Sequence, residues 1–363
     1  MSRLGELIDW WTGIGRPLRR LPRWAAIAAL VLTAVALAWS AFAMGRPGAN
    51  GEQALIETQS GFGDLDLYAT IAGRVSRGEP YYTAALAEQR AHGYPTRPFV
   101  TVRTPIMAWG TQLWGETGWR LIAFALLGAN VLAWTARLSP QTTSVERVAA
   151  ALFVFASGLG VFNAYYIRMH DLFAGLLVSL ALGLHRPERW WPSWIAAAAG
   201  LAIRELALPF VLLWAALALV EKRWRELAAV AVLLALFVAG MALHAEGVAG
   251  ARLAGDSASQ GWAGLIGPRM VLASLAELTP LLALPPSLAG PLALLPLLGW
   301  LGLGGRSGLF ATLWFVGFAT AISLFARSEL FYWALLMLPA YGGGLALAPR
   351  ALADLVAVSL GKT

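Results

Sequence analysis

Residues 190–219 read WWPSWIAAAAGLAIRELALPFVLLWAALAL, about thirty positions broken once by charge, at Arg204 and Glu205. A helix needs about 20 apolar residues to cross roughly 30 Å of hydrocarbon, so the stretch reads as two membrane helices joined by a charged turn. The half before Arg204 is barely long enough to reach the far interface, which leaves both charges within one leaflet. Ionisable groups at that depth cost about 2.5 to 3.5 kcal/mol each on insertion scales. Two readings are open: a tight turn held by a structural ion pair, or a polar cavity opening outward with Arg204 set for an anionic ligand.

The whole chain extends this pattern. Of 363 residues, 58% are hydrophobic and 13% charged, with a mean hydropathy of +0.64. Several continuous runs are long enough to span a membrane, and they lack the alternation of about ten-residue segments that marks a barrel. The fold class is all-α, a polytopic transmembrane helical bundle. There is no cysteine, and the four histidines, at 92, 170, 185 and 244, are too scattered for a metal motif. The net charge of +7 comes from arginines at the ends of apolar runs, a positive-inside pattern that points to topology and away from nucleic acid. Two Lys against 25 Arg suggest a GC-rich bacterial genome.

A cytoplasmic interfacial segment is expected at 1–23, where Trp10 and Trp11 sit beside RPLRRLPR. One membrane domain follows over 24–350, with a first span at 24–44; a cleaved signal peptide is the lesser reading, because many further runs follow. Residues 45–117 form a first extracytoplasmic loop with six Arg against seven Asp or Glu. Within it LYATIAGRVSRG and YYTAALAEQRAHG carry helical spacing on either side of the turn GEP, predicting two short amphipathic helices. Further spans are expected at about 119–136, 147–166, 171–185, 190–203, 206–221, 226–244, 287–304, 308–326 and 331–348, about ten in all. An outer region, 245–286, holds a re-entrant or surface segment at 269–285, because a span there would invert every later loop. A cytoplasmic tail occupies 351–363.

On this topology the remaining charges gather at the outer face. Asp64 and Asp66 follow the first span, Arg103 precedes the second, and Arg168, His170 and Asp171 share the connection YYIRMHD; Arg327 and Glu329 precede the last span. For Arg327 an ordinary span-end arginine stands beside a ligand contact, and for Arg168, His170 and Asp171 a local ion pair stands beside a ligand site. Asp64 and Asp66 admit three readings: a solvated turn, a metal clamp, or a general base facing an arginine cluster that holds a phosphate leaving group. The clamp is the weakest, because alternate residues of an extended segment point to opposite sides.

The single span, the acidic pair, and then DLDLY, GEPYY and GYPTRP resemble the membrane-embedded GT-C glycosyltransferases that use polyprenyl-phosphate sugars. The pattern is most similar to the mannosyltransferase branch, glycosyltransferase family 87. The resemblance covers 24 to about 115 in motif and the remainder in topology. It implies a GT-C-like fold, Asp64 as catalytic base with Asp66 sharing or orienting, and Tyr68 closing the motif. It implies Arg327 on the lipid-linked phosphate, with Arg204, Arg168 or Arg103 available for the same task. Tyr94, His170, Asp171, Glu205 and Glu329 then fall in the substrate pocket. The chain has Tyr94-Pro95-Thr96 where the family often has Y-P-P, which leaves the sugar unassigned.

The expected activity is inverting transfer of a hexose or pentose from a polyprenyl-phosphate donor to a lipid, glycan or protein acceptor, at the outer face of a bacterial cytoplasmic membrane. No cofactor is required by the residues, and a divalent metal stays open. Partners are the donor, the acceptor and membrane lipids, with no nucleic acid. A transporter or flippase of a lipid-linked or anionic solute is the main alternative, and predicts matching charges on the inner half of the spans. A polysaccharide ligase or polymerase is another, though its large outer loop would come late in the chain.

Overall fold

The computed structural model describes residues 8, 11–45 and 62–362. The stretch 46–61, most of the loop expected before DLDLY, and the apolar face expected over 4–10, apart from Ile8, lie outside the described residues. Among those described, pairing of extended backbone is limited to two isolated bridges, Gly15 with Gly304 and Arg97 with Ala258. The protein is a helical bundle, as the hydropathy requires.

The helices are α1 (Arg23–Gly45), α2 (Asp64–Ser76), α3 (Tyr81–Ala91), α4 (Ile106–Leu138), α5 (Ser144–Ser157), α6 (His170–Leu184), α7 (Trp191–Ile203), α8 (Leu208–Val220), α9 (Trp224–Ala251), α10 (Pro268–Glu277), α11 (Pro286–Leu303), α12 (Gly305–Phe325) and α13 (Ala348–Ser359). Five of them, α1, α4, α9, α11 and α12, are long and apolar enough to cross a membrane, and α6, α7 and α8 are shorter apolar helices. Trp24, Val31, Leu32, Val35 and Phe42 of α1 stand exposed, as side chains facing lipid would.

The bundle is organised around α6, whose residues are buried on every side, the signature of a core helix. It packs against α4, α7 and the 3₁₀ segment Ser328–Met337. Close approach depends on small residues. A Cβ at Gly175 would lie 2.0 Å from the Leu335 carbonyl oxygen. Polar contacts tie α6 to α4: the Asn130 amide donates to the Leu176 carbonyl at 2.9 Å, and the Trp134 indole to the Ser179 hydroxyl at 3.2 Å.

Several elements depart from the expected bounds. The run expected to begin at 119 is part of α4, which starts at Ile106 and bends at Gly115, with φ 67°, a region glycine enters freely. The expected span 147–166 ends as a helix at Ser157, where Gly158 caps it, and continues through 3₁₀ turns at Leu159–Phe162 and Tyr166–Arg168. The run 331–348 is not one α-helix. Ser328–Met337 is 3₁₀, Pro339 interrupts it, and Gly342–Gly344 lets the chain pack directly against α5 and α11. In the expected tail, α13 packs on α1 and α11 with Ala351, Leu355 and Val358 buried, and Asp354 pairs with Arg16. Within 245–286, α10 has ten residues, about 15 Å of helix, half the hydrocarbon thickness.

The two amphipathic segments form as α2 and α3, with Leu67, Ile71, Val75 and Leu86 in a small core of their own. They cover the end of the bundle where α6 begins and α7 ends.

Candidate functional site

The acidic pair belongs to the first turn of α2, not to an extended strand. Asp66 stands at the third helical position and its Oδ2 accepts from the Gly63 amide at 3.0 Å. That closes the helix N-terminus, where free N–H groups and the macrodipole both favour a carboxylate. The Tyr165 hydroxyl also reaches Asp66, at 3.4 Å. Asp64, the first helical residue, lines instead a cavity of about 960 Å³. Tyr94 lies beside Asp64, and burial together with that carboxylate raises the Tyr94 phenol above its ordinary pKa. Tyr68 lies one turn on from Asp64 along the same face.

Arg103 reaches the cavity from the segment before α4. The Thr104 hydroxyl donates to the Ala202 and Ile203 carbonyls at 2.9 and 3.0 Å, occupying acceptors that the end of α7 leaves free, and so brings Arg103 beside Arg204. Arg103 Nε donates to Tyr68 Oη at 3.0 Å, and its nearest carboxylate, Glu205, is 3.9 Å away. Burial pushes the Tyr68 phenol up to about 12, against the pull of Arg103, so it is a neutral hydroxyl at working pH.

Arg204 is held differently. It is 2% exposed; Nε donates to Asp171 at 2.9 Å and a second nitrogen to Glu205. Its charge is thus matched by two carboxylates before any ligand arrives. Arg327 pairs with Glu329 at 2.8 Å, both partly exposed.

Asp64, Tyr68, Tyr94, Arg103, Asp171, Arg204, Glu205, Arg327 and Glu329, nine positions expected at a site, line this one cavity. Three others do not. Asp66 is turned back to cap α2. Arg168 is drawn to Glu116 at 2.8 Å, and with His170 it lines a smaller cavity of about 180 Å³ behind Tyr68. The His170 ring meets the Tyr68 ring edge-on with centroids 4.9 Å apart. Sequence reading missed Tyr165, Tyr166, Trp262, Glu277, Tyr332 and Trp333, all of which line the cavity. The run SELFYWALL carried the signal, an aromatic cluster directly after a charged pair.

Overall charge in the lining is not basic. Asp64, Asp171, Glu205, Glu277 and Glu329 stand against Arg103, Arg204 and Arg327. Arg103 is the cation least closely paired, its nearest carboxylate 3.9 Å away, and Arg327 has one partly exposed partner where Arg204 has two carboxylates. Among the described residues no group of three or more His, Asp or Glu side chains is arranged to hold a metal ion.

No family model matches the chain, and no curated protein does. Among solved structures it resembles the crystal structure of ArnT from Cupriavidus metallidurans in the apo state, with a TM-score of 0.53 and 15% identity. The match covers 92% of this chain and 62% of ArnT, so the chain spans under two thirds of that protein's length. The likeness concerns the fold alone, that of a polytopic helical bundle.

Proposed function

We propose that the chain is a membrane glycosyltransferase that moves a sugar from a polyprenyl-phosphate donor to a hydroxyl of a lipid, glycan or protein acceptor at the outer face of the membrane. The observation that carries this reading is the single cavity of about 960 Å³ with Asp64 on α2 and with Arg103 and Arg327 on separate segments. That is the upper end of the range for small-molecule sites, room for a lipid-linked sugar head group beside an acceptor.

Asp64 takes the proton of the acceptor hydroxyl as its oxygen attacks the anomeric carbon. The bond from that carbon to the phosphate oxygen breaks, and the phosphate leaves with the electron pair. Arg103 and Arg327 stabilise the developing charge. Arg204, neutralised by Asp171 and Glu205, positions Glu205 near Arg103. Displacement by direct attack inverts the anomeric centre.

A transporter reading draws on one further observation. At the opposite end of α6, Glu226 is 1% exposed and accepts from His185 at 2.7 Å and from Trp214 at 2.5 Å, with Arg223 and Arg306 beside it. These partners fill its acceptor positions, which fits a structural knot better than an inner solute site.

The test is transfer of labelled mannose, glucose, galactose or arabinose from polyprenyl phosphate by purified protein in vesicles supplied with membrane lipid extract. Labelled product from one donor is expected. Absence of product from every donor, with labelled donor crossing the vesicle membrane, would move the function to transport.

A further inference from the structure

The carboxylates of the cavity differ in what holds them. Asp171 and Glu205 share Arg204 and Glu329 has Arg327, while Asp64 lies beside the Tyr94 phenol. Glu277 lines the same cavity with no hydrogen bond or ion pair among the described residues. It is the last residue of α10, at the end where the helix dipole disfavours a negative charge. Burial raises its carboxyl pKa further. The fold gains nothing visible from an acid at this position.

The segment Ser328–Met337 packs against α10 and carries the complementary group. Trp333 is 6% exposed and lines the cavity, and its indole N–H is buried without a partner. Tyr166 lies close enough to sense the Glu277 charge and lines the cavity too. An acceptor with no donor and a donor with no acceptor therefore share one cavity with aromatic rings. Aromatic faces cover the C–H surface of a sugar ring, a carboxylate accepts from its hydroxyls, and an indole N–H donates to a hydroxyl oxygen. Trp333 and Arg327 are both brought to this cavity by the one segment 327–337.

We propose that Glu277 and Trp333 form the sugar-recognising end of the cavity, binding the hydroxyls of the monosaccharide carried on the lipid phosphate and setting which sugar is accepted. This rests on the glycosyl-transfer reading above. Neither group joins the chemistry; both are specificity determinants.

The experiment measures binding to wild type, Glu277→Gln and Trp333→Phe in lipid nanodiscs. The probes are bare polyprenyl phosphate and polyprenyl phosphate bearing mannose, glucose, galactose or arabinose. Wild type is expected to bind one sugar-bearing lipid more tightly than the bare phosphate. Losing a hydrogen bond to a charged acceptor should reduce that advantage roughly ten- to a hundred-fold in Glu277→Gln, and Trp333→Phe should reduce it as well. Affinity for bare polyprenyl phosphate stays unchanged in both variants and reports that they fold. An advantage that persists in both variants overturns the proposal, as does a wild type that gains nothing from any sugar. If wild type binds neither the bare lipid phosphate nor any donor, the glycosyl-transfer reading fails, and this proposal with it.

Discussion

Removing the charge of Arg204 tests whether this arginine is a fixed part of the fold or a ligand waiting for phosphate. Arg204 is 2% exposed and Asp171 is 3% exposed, and the two are joined at 2.9 Å. Asp171 has no other cation at hydrogen-bond distance among the described residues, so Arg204→Met leaves a buried carboxylate uncompensated, a loss of about 3 to 5 kcal/mol. Asp171→Leu should lose less, because Glu205 still balances Arg204. Replacing both with apolar side chains of similar volume should recover most of the stability, because an apolar pair avoids the desolvation of two ions. The double variant then lies well above the sum of the single losses, with a coupling of about 2 kcal/mol or more. The assay is thermal and denaturant unfolding of the four proteins in one mild detergent, followed by tryptophan fluorescence. Additive losses, or a single Arg204→Met variant as stable as wild type, would refute the reasoning and return Arg204 to the set of free phosphate ligands.

Other outcomes follow from named contacts. Gly175→Ala sets a Cβ 2.0 Å from the Leu335 carbonyl oxygen, and should lose about 1 to 3 kcal/mol by overpacking, read as a lower unfolding temperature together with weaker donor binding, since Ser328–Met337 shifts. Glu277→Gln should unfold no lower than wild type at pH 7, because a carboxyl whose pKa burial raises opposes folding above its unfolded value near 4.3; a large loss of stability would give Glu277 a structural role. Tyr68→Phe removes the acceptor of the Arg103 Nε hydrogen bond and should weaken donor binding about ten-fold. With the Tyr68 phenol pushed up to about 12, the folded state keeps a proton that the unfolded chain releases near 10. Stability should thus fall as pH rises from about 10 to 12, and Tyr68→Phe should remove that part of the fall.

The helical bundle is legible in the apolar runs because burial in lipid leaves a backbone few choices, and α7 and α8 fall where Arg204 and Glu205 divide the run. The amphipathic helices α2 and α3 are legible because Gly78 to Pro80 separates two stretches of helical period. The segment 331–348 reads wrongly as a helix because hydropathy does not register Pro339 or the close packing that Gly342–Gly344 allows. In the site, membrane depth collects most of the charges that line the cavity, since ionisable groups there are expensive. What the sequence hides is which charges already have partners. Asp66 is taken by the start of α2, Arg168 by Glu116 and Arg204 by Asp171, and each pairing depends on chain segments meeting in three dimensions. Glu277 is visible in sequence only as an obstacle to a span; its isolation among paired carboxylates needs the fold.

In the proposed mechanism Asp64 is the base, while Asp66, two residues on, caps α2. The measurement that reaches it most directly is the rate of labelled sugar transfer by Asp64→Asn and Asp66→Asn side by side, with donor binding recorded for each. Asp64→Asn should bind donor normally and lose transfer by roughly a hundred- to ten-thousand-fold. Asp66→Asn, whose amide oxygen still accepts from Gly63, should keep transfer within about ten-fold of wild type. Full transfer by Asp64→Asn, or a loss confined to Asp66→Asn, would contradict this mechanism.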